Sequence, residues 1–329
     1  MLNKIQNYKK LVGNTPLVRV NYSFNNKKSF AFFKLECFNP SGSIKDRMAI
    51  NIIEDAYKDK SFKEGMGIKE ATSGNTGIAF SALGAYLGCE VEIFMPSWMS
   101  EERKKLILSY GAKLREVSKE EGGFSGSVRL ADIAASKENA FRPQQFDNLS
   151  NVKAHITTGQ EIINDLQKIN LKADCFVAGV GTGGTIMGVA KALKAYDSNI
   201  KVCPVEPEGC ASMTYPGQDA EHLIQGIGDG FVPSIVKLDE LDDIIIVNDV
   251  DSVIMAQKLA KSGLGVGISS GANFLAAIKA KELYGDCIVT SVFADCSKKY
   301  LSTKLCENLK SCDKFLSSKI DIISYEVLK

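Results

Sequence analysis

Short apolar runs alternate with longer amphipathic ones along most of this chain, and that alternation restricts it to mostly parallel β-sheets covered by helices. AFFKLE (31–36), GIKEATS (67–73), VEIFMP (91–96), DCFVAGV (174–180), KVCPVEP (201–207), IIIVND (244–249) and CIVTSVFAD (287–295) read as strands. Segments 45–58, 74–88, 100–110, 186–195, 252–262 and 272–283 read as helices, with Ser100 before Glu101 and Glu102 as an N-cap. Such α/β units carry their functional loops at the C-terminal ends of the strands. At 329 residues and 45% hydrophobic, the chain is long enough for two of them. The polar DNLSN predicts a division near residue 150, giving an N-terminal α/β domain of 1–150 and a C-terminal one of 151–329.

Charge and composition exclude several classes of function. Forty Lys plus Arg against 39 Asp plus Glu leave a net charge of +1, with basic residues in no block longer than a pair, so nucleic acid is not the expected partner. The N-terminus MLNKIQNYKKLVGNTPLV lacks the apolar core of a secretory signal, and IAFSALGAYLG (78–88) is too short to span a bilayer. The expectation is a soluble cytoplasmic protein with no membrane contact. Nine cysteines without a C-x-x-C pair, and only two histidines, His155 and His222, point to reduced thiols and to no metal site. Cys175, Cys203 and Cys287 lie in apolar runs and are expected to be buried.

Four loops carry the chemistry. GVGTGGT (179–185) turns from a strand into a helix, and free backbone N–H groups at such a turn favour a phosphate. Gly179, Gly181 and Gly184 also fit G-x-G-x-x-G, with Glu206 near the position of a ribose-binding acid, so an NAD-dependent oxidoreductase is one reading. NPSGSIKDR (39–47) sets Lys45 at the mouth of a helix, EATSGNTG (70–77) presents hydroxyls and an amide at another helix start, and GISSGA (267–272) offers Ser269. One amine, a phosphate nest, a carboxylate nest and a neutral hydroxyl are the parts needed to hold pyridoxal 5′-phosphate and an amino acid.

In sequence order, NPSGSIKDR, TSGNTG, PQQF, GVGTGGT, GIGDGF and GISSGA resemble the cysteine synthase and cystathionine β-synthase family of pyridoxal-phosphate enzymes, from about residue 10 to the KYLST ending at 303. The resemblance implies the tryptophan synthase β-like fold (fold type II), with the cofactor between two α/β domains, usually in a homodimer. It implies β-elimination or β-replacement on cysteine-like amino acids through an α-aminoacrylate intermediate. Lys45 would form the Schiff base and move the Cα proton; Asn75 would contact the ring 3′-hydroxyl, and Gly181, Thr182, Gly183, Gly184 and Thr185 would hold the phosphate. Thr72, Ser73, Thr76, Gln145, Asn75 and Gly228 would bind substrate, and Ser269 would meet the pyridine nitrogen. A neutral hydroxyl there does not stabilise a protonated ring, which favours loss of a β-substituent over transamination. A lysine released in a desolvated cleft beside a helix N-terminus should titrate well below the usual value of about 10.4 and serve as a base.

The chain departs from plain cysteine synthases at GIGDGF, where Asp229 replaces a small residue, and at ADCSKKY, where PSSGERY is usual. A partly desolvated Asp229 is suited to take a proton from water attacking the β-carbon. Cysteine would then enter, hydrogen sulfide leave, and serine form. The alternatives are cysteine synthesis from O-acetylserine and sulfide, attraction by Asp229 of the amino group of a second amino acid, and a turn residue with no chemical role.

Overall fold

Runs such as CFVAG and VTSVF carry no polar alternation, so a sheet built from them needs cover on both faces. The structure, a computed structural model, describes residues 1–328. Its first half runs α1 (Leu2–Lys9), β1 (Leu17–Phe24), β2 (Lys27–Leu35), α2 (Lys45–Lys58), β3 (Ile68–Ala71), α3 (Asn75–Leu87), β4 (Val91–Pro96), α4 (Glu101–Ser109), β5 (Lys113–Val117) and α5 (Gly123–Glu138). Then follow α6 (Leu149–Gln167), β6 (Cys175–Gly179), α7 (Gly184–Tyr196), β7 (Lys201–Pro207), β8 (Ile245–Val247), α8 (Asp249–Lys261), α9 (Ile268–Tyr284), β9 (Val289–Phe293) and β10 (Ile320–Leu328).

The strands form a seven-stranded sheet, β10-β1-β2-β9-β6-β7-β8, and a three-stranded sheet, β3-β4-β5. All pairings are parallel except those of β1 with β2 and with β10. This is the α/β fold expected from the alternation. Because β1 and β2 join strands from beyond residue 170, a boundary near residue 150 does not separate the two sheets. DNLSN is not a linker either: Asn148 accepts a hydrogen bond from Ser150 N and caps the 19-residue α6. Ser100 stands at the start of α4, but its hydroxyl donates to Lys299 O at 2.9 Å instead of capping the helix.

Helices cover both faces of the large sheet. Phe33 of β2 stacks between Phe293 and Phe274, with ring centroids 4.3 and 5.2 Å away. Cys175, Cys203 and Cys287 are buried, and all nine cysteines are free thiols. The small sheet packs on α1, α2 and α3 through a separate apolar cluster that includes Ile53, Phe80 and Ile93.

A buried ionic network ties α2 to α6 and to the end of β2. Arg47 pairs with Glu36 at 2.6 Å and with Glu161 at 2.7 Å, while Lys34 meets Glu161 at 2.9 Å. Burial pushes the Glu161 carboxyl up, but the hydrogen bonds and charge of Arg47, helped by Lys34, outweigh it and hold the group at about 2. A carboxyl held below its unfolded value stabilises the fold above that value and loses its contribution as pH falls through the folded one. Glu161→Gln is therefore expected to cost about 3 kcal/mol at pH 7. Chemical denaturation at several pH values should show the difference shrinking between about pH 4.5 and about pH 2.

Candidate active site

Helices α2, α3, α7 and α9 begin at one cleft, which encloses about 760 Å³ counted out to its open mouth. None of the four N-cap residues makes a side-chain cap, which is also true of α1, α4 and α5, while α6 and α8 are capped by Asn148 and Asn248. Among the described residues, the backbone N–H groups of Ser73, Asn75 and Thr76 at α3, and of Gly181, Thr182, Gly183 and Thr185 at α7, find no protein acceptor. Seven free donors at two helix N-termini suit two anionic groups.

Glycines make this approach possible. Gly183 has φ +86° and Gly74 φ +151°, where side chains are strained. A Cβ on Gly181 would lie 2.4 Å from Gly226 O, so the loops 179–185 and 225–230 touch backbone to backbone. Gly228 N donates to Val180 O at 3.0 Å and completes that contact.

Lys45, Asn75, Asp229 and Ser269 all line the cleft. So do Thr72, Ser73, Thr76 and Gln145 on the side of the small sheet, and Gly181, Thr182, Gly183 and Thr185 opposite. Gly184 and Gly228 do not: a Cβ on Gly184 would fall 1.9 Å from Asn151 Oδ1, and Gly228 supports the loop from behind. Thr76 Oγ1 donates to Gln145 Oε1 at 2.6 Å, and Gln145 Nε2 to Ala71 O at 2.9 Å, so these side chains fix each other.

Neither Lys45 Nζ nor the Asp229 carboxylate hydrogen-bonds to another described residue. Burial pushes the Lys45 amine down, opposed by Asp229 and Asp295 and assisted by Lys299 and Arg103. Burial raises the Asp229 carboxyl to about 6, against the pull of Lys45 and His222. The cleft thus holds an amine and a carboxyl, both shifted toward the neutral range.

The cleft has members that the motifs did not reveal. Arg103 of α4 is buried, lies over the Tyr300 ring and reaches Gln225 on the Asp229 loop. Phe146 lines the mouth, with its ring 5.1 Å from that of Phe231. Asn273 accepts from Gly179 N at 2.8 Å and steadies the α7 turn; it falls inside the serine loop just after GISSGA, where a polar residue on a buried helix was the available signal. Glu206, the acid of the dinucleotide reading, is buried and accepts from Met213 N at 2.9 Å and Thr214 N at 3.0 Å, leaving it no role at a ribose.

Residues 8–295 match the family model described as pyridoxal-phosphate dependent enzyme. The chain is 41% identical over 298 residues to cysteine synthase B of Campylobacter jejuni, covering 90% of this chain and 96% of that one. It superposes on a hydrogen sulfide-producing enzyme from Fusobacterium nucleatum with TM-score 0.97 and 47% identity over 100% of both chains. An aspartate-to-asparagine variant of that enzyme is described in complex with an alpha-aminoacrylate intermediate. A cysteine synthase from Entamoeba histolytica matches at TM-score 0.85 and 36% identity over 94% of each chain.

The backbone contact between the two loops predicts the effect of one added methyl group. Gly181→Ala is expected to displace the 225–230 loop and cost about 1–3 kcal/mol in chemical denaturation.

Proposed function

As the chain belongs to the pyridoxal-phosphate dependent enzymes, within the cysteine synthase group that carries out β-replacement and β-elimination, we propose that it takes L-cysteine and water to L-serine and hydrogen sulfide. The observation that carries this reading is the unpartnered Asp229 carboxylate, raised to about 6, in the same cleft as the unpartnered Lys45 amine.

The free donors of the cleft fit the cofactor: the amides of Gly181, Thr182, Gly183 and Thr185 would hold its phosphate, and Gly184 allows their close packing. Ser269 would meet the ring nitrogen, Asn75 the ring hydroxyl, and Lys45 the aldehyde. Bound there, pyridoxal phosphate supplies the electron sink that acidifies Cα–H and lets a β-substituent depart. Thr72, Ser73, Thr76 and Gln145 would orient the substrate carboxylate. With its pKa lowered by burial, Lys45 Nζ takes the Cα proton and returns it at the end. The departing hydrosulfide takes one proton from solvent and leaves as hydrogen sulfide; the proton that Asp229 takes from the attacking water goes back to solvent, so the two balance. Asp229, deprotonated above about pH 6, takes a proton from the water whose oxygen bonds to Cβ. Phe146 lines the cleft, with the exposed ring of Phe231 packed against it.

The names of the fusobacterial structures support both halves: one speaks of sulfide production, and the asparagine variant holds an intermediate. The second reading, cysteine synthesis from O-acetylserine and sulfide, is supported by the names of the Campylobacter and Entamoeba relatives. A homodimer is proposed on the family resemblance, and sedimentation tests it. Among the described residues no helix is long and apolar enough to cross a membrane.

Incubation with cysteine alone should yield sulfide and serine in equal amounts; pyruvate or lanthionine as the organic product overturns the hydration step. Asp229→Asn is expected to lower serine formation by about 100-fold or more, with sulfide release in the first turnover retained. Serine formation should rise as pH passes upward through about 6, because the carboxylate is a base only once deprotonated.

A further inference from the structure

Asn75 stands at the first position of α3, and both ends of its side-chain amide are engaged by residues that do not line the cleft. Its Nδ2 donates to Asp295 Oδ2 at 2.7 Å, and Lys299 Nζ donates to its Oδ1 at 2.8 Å. Asp295 is fully buried and Lys299 nearly so. Tyr300 OH also donates to Asp295 Oδ2 at 2.7 Å, while Asp295 Oδ1 lies against Gly267, where an added Cβ would fall 2.0 Å from it. The hydroxyl of Ser100 holds the backbone of Lys299 from α4.

Nitrogen and oxygen of a primary amide have nearly the same shape, and only their partners tell them apart. A carboxylate accepts and does not donate; an ammonium donates and does not accept. Turning the Asn75 amide over would set its N–H₂ against Lys299 and its oxygen against Asp295. Two attractive contacts would become two repulsive ones in a buried place. The amide therefore keeps one orientation and retains one Nδ2 hydrogen beyond the bond to Asp295. Lys45 and Arg103 line the cleft beside it, while Asp46 and Cys296 lie near Lys299; none of these hydrogen-bonds to Asn75.

We propose that Asp295 and Lys299 are positioning residues that make Asn75 solely a donor toward the cleft, so that it favours the ionised, accepting form of the oxygen it meets on the cofactor ring. The inference rests on the reading that Asn75 faces the ring hydroxyl of pyridoxal phosphate. It also gives a role to the ADCSKKY departure, whose second and sixth residues are this pair.

The test is the visible absorption of purified holoenzyme titrated against pH, with no substrate present, alongside the thermal midpoint. Asp295→Asn and Lys299→Met each remove one of the two contacts that hold the amide and leave its orientation to the other alone, and in each the midpoint of the absorbance change should rise, by at most about one unit, the size of one lost hydrogen bond to a charged oxygen. Lys299→Arg keeps a cation that only donates and should titrate like the parent. The proposal is overturned if folded Asp295→Asn titrates like the parent, or if Lys299→Arg shifts as far as Lys299→Met. Should Asp295→Asn fail to fold, the two Lys299 variants decide. A protein without visible absorption after incubation with pyridoxal phosphate overturns the cofactor reading and this proposal with it; parental titration in every variant overturns this proposal alone.

Discussion

The architecture depends on helices that end without caps. A helix N-terminus leaves up to four backbone donors unsatisfied, and most proteins close them with a nearby side chain. This chain does so at α6 and α8, with Asn148 and Asn248, both away from the cleft. At α3 and α7 the donors stay open and converge on one cleft. Leaving them unpaired is tolerable because water or a bound anion completes the set. The glycines around them serve that purpose, since a side chain at Gly181 would strike Gly226 O and one at Gly183 would strike Val236.

Neighbouring residues of α2 show two opposite treatments of charge. Arg47 is saturated: Glu36, Glu161 and Thr15 take its donors, and its position is fixed. Asp46 receives the amide and hydroxyl of Ser41. Lys45, one residue earlier, has no such partner and only the diffuse influence of Asp229 and Asp295. The locked pair anchors the backbone at the root of the free amine. Asp229 repeats the pattern on a glycine loop, with His222 accepting from Ile224 N and donating to Gly228 O to brace the turn behind it. Buried charges without direct partners move toward neutrality, which is what proton transfer near neutral pH needs.

Most core strands and the site loops were legible because each depends on residues close in sequence; β1 is the exception, since it buries Leu17, Val18, Val20 and Tyr22 yet stands outside the strands read from the sequence. Helix α2 occupies the expected 45–58, and the glycine turn runs from strand to helix as read. Where burial is incomplete the pattern failed. KLREV of β5 is mostly exposed, β10 shows almost no buried residue, and α1 is short and polar, so none has the apolar signature used to find strands and helices. Helices α5 and α6 were passed over because their apolar faces are broken by serines, threonines and glycines. The division near residue 150 misled because sheet membership is set by pairing between distant strands, which composition does not record. Arg103 and Gln225 meet across 122 residues of chain, and no local motif marks such a pair.

The antiparallel pairing of β1 with β10 joins residues 17–24 to residues 320–328, strands about 300 residues apart in the chain, at one sheet edge. During synthesis the small sheet, contained within residues 68–117, has all its strands early. The large sheet waits for β10, about 300 residues of synthesis after β1, at roughly 5–20 residues per second a delay of tens of seconds. The edge of β1 is a bare template throughout that interval. Until β10 has been made the chain carries an open seam along β1, and β10 is the clasp that protects it from pairing with other chains.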